Sequence, residues 1–163
     1  MNVSLDTLLD IAGVHAKHVL VDLKLRGGLT PTWVLFNETG DPMIVGTPWK
    51  DDRDKIRTAK LMRQRMRAQG VIAYSFVAEA WTATVKPDEI DESGLCLKDP
   101  MRRPIYRQDR EEVVSACAAT ANEIKYRQWT IVRDHLERVI RLEPREYPES
   151  AEPPQGWLTD MLK

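Results

Sequence analysis

Residues Val71 to Val85 limit the fold of this chain most. Val, Ile, Tyr, Phe, Ala and Trp follow one another there with a single charge, Glu79, among them. β-branched and aromatic residues suit a pleated, half-buried surface, and near-continuous apolarity marks a central strand covered on at least one side. Alternation predicts that Ile72, Tyr74, Phe76, Ala78 and Ala80 share one face, with Val71, Ala73, Ser75, Val77, Glu79 and Trp81 on the other. A strand of this kind needs neighbouring strands and something laid over it.

The flanking sequence supplies both. Leu5, Leu8, Leu9, Ala12, Ala16, Val19 and Leu23 recur at spacings of three and four behind Ser4, which predicts an amphipathic helix ended by Gly27-Gly28. Residues 32–36 and 43–45 read as a hairpin around Asn37–Pro42. A second helix is predicted from about Asp51 to Gln69, with Asp51, Asp52 and Asp54 in its first turn, Ile56, Ala59, Met62 and Met66 buried, and Gly70 as its stop. Three further strands are predicted after a long acidic loop from Pro87 to Pro104. They run from Glu112 to Ala121, Ile124 to Arg133 and Arg138 to Leu142, the first being equally compatible with a helical stripe. The expected architecture is α+β: a mainly antiparallel sheet of about six strands, two helices packed on one face, and a Pro-rich C-terminal tail. One domain is expected over residues 1–143, with residues 144–163 a Pro/Glu-rich tail ending in an amphipathic Trp157-Leu158-x-x-Met161-Leu162.

Composition narrows the function classes. A net charge of −1 gives no global drive toward nucleic acid or an anionic membrane, so an electrostatic partner must meet a local patch. No apolar run approaches the ~20 residues that span a bilayer, and the N-terminus lacks the pattern of a signal peptide, so a cytoplasmic location is expected without a membrane partner. Cys96 and Cys117 are expected to be free thiols.

Three patterns offer chemistry. Lys125, Arg127, Trp129, Ile131 and Arg133 alternate onto one face of a predicted strand. If both helices cover the other face, Arg127 and Trp129 lie open to a partner, since Trp and Arg are frequent anchors of protein interfaces. Trp157, Leu158 and Met161 of the tail extend that set as an anchor for an apolar groove. Residues 51–69 carry seven basic against three acidic residues, a net +4 that leaves −5 on the rest, and Arg53, Arg57, Lys60 and Arg67 share one helical sector. With Lys125 and Arg133, that stripe makes nucleic-acid binding the alternative.

The third pattern is catalytic. Glu123-Ile124-Lys125 spells the E-x-K of a metal-dependent nuclease, with Asp88 or Asp109 as the upstream acid and Glu79 as a further carboxylate. His15, His18 and Asp22 share a helix face and are candidate metal ligands, although no further Cys or His completes a recognised spacing. Glu79 is otherwise expected to pair with an arginine such as Arg127 across the sheet. No cofactor motif is present: there is no phosphate-binding glycine loop, dinucleotide fingerprint or nucleophile elbow.

The segment Ala73-Tyr74-Ser75-Phe76-Val77-Ala78-Glu79-Ala80-Trp81 resembles a stretch found in small uncharacterised bacterial and prophage proteins. The resemblance implies an accessory role and brings no catalytic residues. The expected function is a non-enzymatic binding and assembly protein that recognises a protein partner and self-associates as a homo-oligomer. Nucleic-acid binding comes second and a metal-dependent hydrolase third.

Overall fold

The computed structural model describes residues 4–25, 27–82, 87–89, 99, 106–146 and 161–162. Helix α1 (Leu5–Lys17) continues into a π-helical segment (His18–Asp22). Strands β1 (Thr32–Asn37) and β2 (Pro42–Gly46) precede helix α2 (Asp52–Ala68). Strands β3 (Val71–Thr82), β4 (Glu111–Thr120), β5 (Ile124–Arg133) and β6 (Val139–Arg145) follow. The six strands form one sheet in the order β2-β1-β3-β4-β5-β6, every neighbouring pair antiparallel. The class is therefore α+β, with the apolar β3 in the interior of the sheet. Residues 112–120, which also fit a helical stripe, are strand β4.

The two helices lie on opposite faces, which corrects the one-sided packing expected from sequence. Leu5, Leu8, Leu9, Ala12 and Ala16 of α1 join Val34, Phe36, Ala73, Val77, Val114, Ala116 and Ala118 in one buried cluster. Met62 and Met66 of α2 join Trp33, Leu35, Tyr74, Phe76, Cys117 and Ala119 in the other. The reason lies in the apolar run of β3 itself. A strand with apolar side chains on both sides needs cover on both, and one helix is available for each.

The faces differ in bulk. On the α1 side, Ala73, Ala116 and Ala118 alternate with Val34, Val77 and Val114 across the strands. On the α2 side, aromatic rings raise the surface, with Trp33 and Phe76 centroids 4.5 Å apart. Ala59, Met62 and Met66 reach down to these rings, while Ile56 stays 67% exposed instead of joining them. The indole of Trp33 is satisfied by donating to Thr47 Oγ1 at 2.9 Å. Burial pushes the Cys117 thiol up to about 12, so it stays protonated at neutral pH.

Helix α1 departs from its expected course near its end. Leu23 N–H donates to His18 C=O at 2.9 Å, a five-residue spacing that adds one residue to the turn. Past this turn Leu23 is exposed, although regular spacing would carry it onto the buried side with Leu20. Lys24, at φ 49°, turns the chain out of the helix before Gly27-Gly28 is reached. In α2, Asp51, expected in the first turn, is instead the N-cap, accepting from Asp54 N–H at 2.8 Å.

Candidate functional site

The basic and aromatic face of β5 is not free. It is the side that α1 covers. Lys125 Nζ lies 2.9 Å from Asp6 and Arg127 Nη1 lies 2.5 Å from Asp10, so both cations are engaged by acids on the outer flank of the helix. Lys125 holds the Asp6 carboxyl below its ordinary range by a hydrogen bond and its charge. The Trp129 ring packs against Gly13, where an added Cβ would stand 2.7 Å from Cζ2. Arg127 and Trp129 therefore fix α1 to the sheet.

The tail anchor is only partly described. Met161 is 1% exposed and sits in the α2-side cluster with Leu162 packed beside it, its sulfur 3.9 Å from Arg63 Nη2. It docks on its own sheet. Trp157 and Leu158 lie outside the described residues, as do Cys96 and most of the predicted acidic loop.

The candidate hydrolase residues do not converge. Asp109 is held by Arg107 at 2.7 Å, and the same guanidinium reaches the buried Glu89 at 3.2 Å. Glu123 stands exposed at the exit of the β4–β5 turn, 3.9 Å from Lys125. Asp88 is exposed on a short 3₁₀ turn. On the helix, His18 Nδ1 lies 3.6 Å from Asp22, and burial, then the charge of His18, holds His15 below its ordinary value. Among the described residues no three His, Cys, Asp or Glu side chains are grouped to hold a metal.

Glu79 has partners other than Arg127. Its Oε1 accepts the Leu29 N–H, and Gly28 passes so close, at φ 73°, that a Cβ there would lie 2.6 Å from the same oxygen. Glu112 stands diagonally across on the same face and grips Arg133 through two bonds of 2.7 and 2.6 Å. Arg133 also donates to Glu137 C=O at 2.8 Å. Burial, and then repulsion from Glu112, raise the Glu79 pKa against the opposing pull of Leu29 N–H and Arg133. Above these groups is a cleft of about 410 Å³ walled by Leu20, Lys24, Leu25, Arg138 and Val139. The cluster ties the exit of the π-helical turn to β3, β4 and β5. Arg133 is thus tied to Glu112 and to the β5–β6 turn.

Arg53, Arg57, Lys60 and Arg67 stay exposed on the side of α2 opposite Met62, as their spacing requires. Arg57 lies 2.8 Å from Asp54, a surface pair of small energetic weight.

The sheet edges hold a feature the sequence reading passed over. On β6, Arg141, Glu143, Pro144 and Arg145 occupy four of seven positions, and a register shift at Val132/Arg133 bends its pairing. Charge, proline and irregularity are the usual guards of an exposed edge. Strand β2, Pro42-Met43-Ile44-Val45-Gly46, carries no charge, and Ile44 is 73% exposed. The β1–β2 register and the 2.8 Å bond from Thr47 N–H to Pro31 C=O fix which groups point outward. Hydrogen-bonded pairs alternate from 31/47, so Trp33/Val45 and Leu35/Met43 bond inward. Pro42, Ile44 and Gly46 turn their backbone groups to the open side. The signal lay in composition, charge crowding residues 138–145 and absent from 42–46.

Among the described residues, fold and surfaces together define a single-sheet α+β protein with a helix on each face, one guarded edge and one unguarded edge. No family model, no curated protein and no solved structure matches the chain.

Proposed function

We propose that this chain is a non-enzymatic binding and assembly protein, and that its protein partner is a second copy paired through β2. The unguarded outer side of β2 carries the reading. Its outward groups are self-complementary about Ile44. In an antiparallel pairing on a two-fold axis, the Ile44 residues exchange both of their bonds. Gly46, which has an N–H, falls opposite Pro42, which needs only to accept. The result is a continuous antiparallel sheet with both α2 helices on one side. Leu61 of α2 is 57% exposed and lines a shallow groove with Val45, Thr47 and Pro48, so apolar surface continues from the edge onto the helix.

The four edge hydrogen bonds contribute about 0.5–1.5 kcal/mol net each, about 2–6 kcal/mol together, and burial of the apolar surface around Leu61 adds to them, which points to a weak dimer with a Kd on the order of tens of micromolar. Sedimentation velocity from about 1 to 200 µM should show a monomer–dimer equilibrium. Gly46→Pro removes one outward N–H and leaves the inward ladder intact, and Ile44→Lys sets two like charges opposite each other. Both variants should sediment as folded monomers. A wild-type monomer at the highest concentration, or a dimer that neither variant disturbs, ends this reading.

A further inference from the structure

We propose that the paired α2 helices form a binding surface for the phosphate backbone of duplex nucleic acid. This rests on the β2 dimer. Helix α2 lies beside β2, because Thr58, Leu61 and Arg65 share a groove with Val45 and Thr47. A two-fold axis at Ile44 therefore brings both α2 helices together on the same side of the joined sheet. Their basic sectors face away from the sheet, so two stripes, each on a segment of net +4, become one field.

The stripe suits phosphates better than bases. Arg53 to Arg67 span about 21 Å at 1.5 Å per residue, the length of roughly six phosphates on one strand. Among the described residues no aromatic side chain lies in the sector: Trp49, just before α2, stacks on Phe76 at 5.8 Å with Lys55 over its ring. Backbone contact without stacking platforms favours a duplex, read without regard to sequence. The exposed Arg57–Asp54 pair exchanges readily for a phosphate. Lys125, Arg127 and Arg133 take no part, because they lie on the side of the sheet that α1 covers, opposite the α2 stripes.

The test is fluorescence anisotropy of the full chain, above its dimerisation range, with two unrelated 20-bp duplexes, a 20-nucleotide single strand and a polyglutamate peptide at 50–300 mM salt. Both duplexes should bind alike and more tightly than either other probe. The slope of log K against log salt should reach at most about −7 for eight cations and at most about −3.6 for four. Arg57→Glu/Lys60→Glu should abolish duplex binding while sedimentation still shows a dimer. Gly46→Pro should weaken binding and roughly halve the slope. No duplex binding at 50 mM salt by a dimeric wild type, or tighter binding to polyglutamate, overturns the surface without touching the dimer. A slope that Gly46→Pro leaves unchanged overturns the paired arrangement.

Discussion

Gly13→Ala is the sharpest test of how α1 meets the sheet. In an exposed helix interior the change stabilises by about 1 kcal/mol, because alanine is the better helix former. Here the new methyl would stand 2.7 Å from Trp129 Cζ2 and 3.1 Å from Cη2. Carbon atoms pack best at about 3.5–4.0 Å, so helix or ring must give way by roughly 1 Å. The ring lies between α1 and β5, and α1 is fixed on either side by Leu9 and Ala16 in the core and by the Asp6–Lys125 and Asp10–Arg127 pairs. Overpacking of this kind costs about 1–3 kcal/mol. Net destabilisation of about 0–2 kcal/mol is expected, against the sign of helix propensity. Urea unfolding followed by circular dichroism would register it as a midpoint lowered by up to about 1 M, taking an m-value of about 2 kcal/mol/M. In a Trp129→Leu background the ring atoms are gone and Gly13→Ala should stabilise by about 1 kcal/mol, giving a coupling of about 1–3 kcal/mol. If Gly13→Ala raises the midpoint of the wild type, Trp129 is not where this packing requires it to be.

Two further outcomes follow from buried groups. The Glu79 pKa is raised in the fold, so between the ordinary glutamate value and the raised one the folded chain holds more protons than the unfolded chain. Glu79 therefore costs stability as pH rises through that window and above it. Glu79→Gln, which keeps an acceptor for Leu29 N–H, should stabilise more at pH 7 than at pH 4, and an equal gain at both pH values would refute this. Met161→Ala should destabilise by about 2–3 kcal/mol by leaving a void beside α2, whereas a change below about 0.5 kcal/mol in urea unfolding would show that the tail contact is dispensable.

The elements were readable in the sequence because each rests on local signals. The apolar period of α1, the Asp-rich start and Gly stop of α2, and the β-branched runs of the strands each sit within a dozen residues. Placement was not readable in the same way. Alternation in β3 assigns side chains to two faces without saying which helix goes to which. The difference between a small-residue face and an aromatic face appears only when strands 40 residues apart are set in register. The same holds for the site residues. Lys125 and Arg127 look like an open basic strip until Asp6 and Asp10, more than 100 positions earlier, are brought over them. The one-residue excess of the π-helical turn has no signature in apolar spacing, since Val19 and Leu20 fit equally well as sequence. The bare β2 edge was legible, but only by comparing the two outermost strands, which requires knowing which strands are outermost.

The strand order also bears on how the chain is made. Four of the five strand pairings join consecutive strands, and only β1–β3 reaches across a helix. During synthesis the β1–β2 hairpin therefore emerges with apolar residues on both sides of β1 and no neighbour for its inner edge. That edge has no partner until residues 71–77 have cleared the ribosome. The N-terminal half of this molecule is thus the interval in which a nascent chain most needs a chaperone, and the β4–β6 meander, joined by short turns, is the part that can collapse as fast as it is translated.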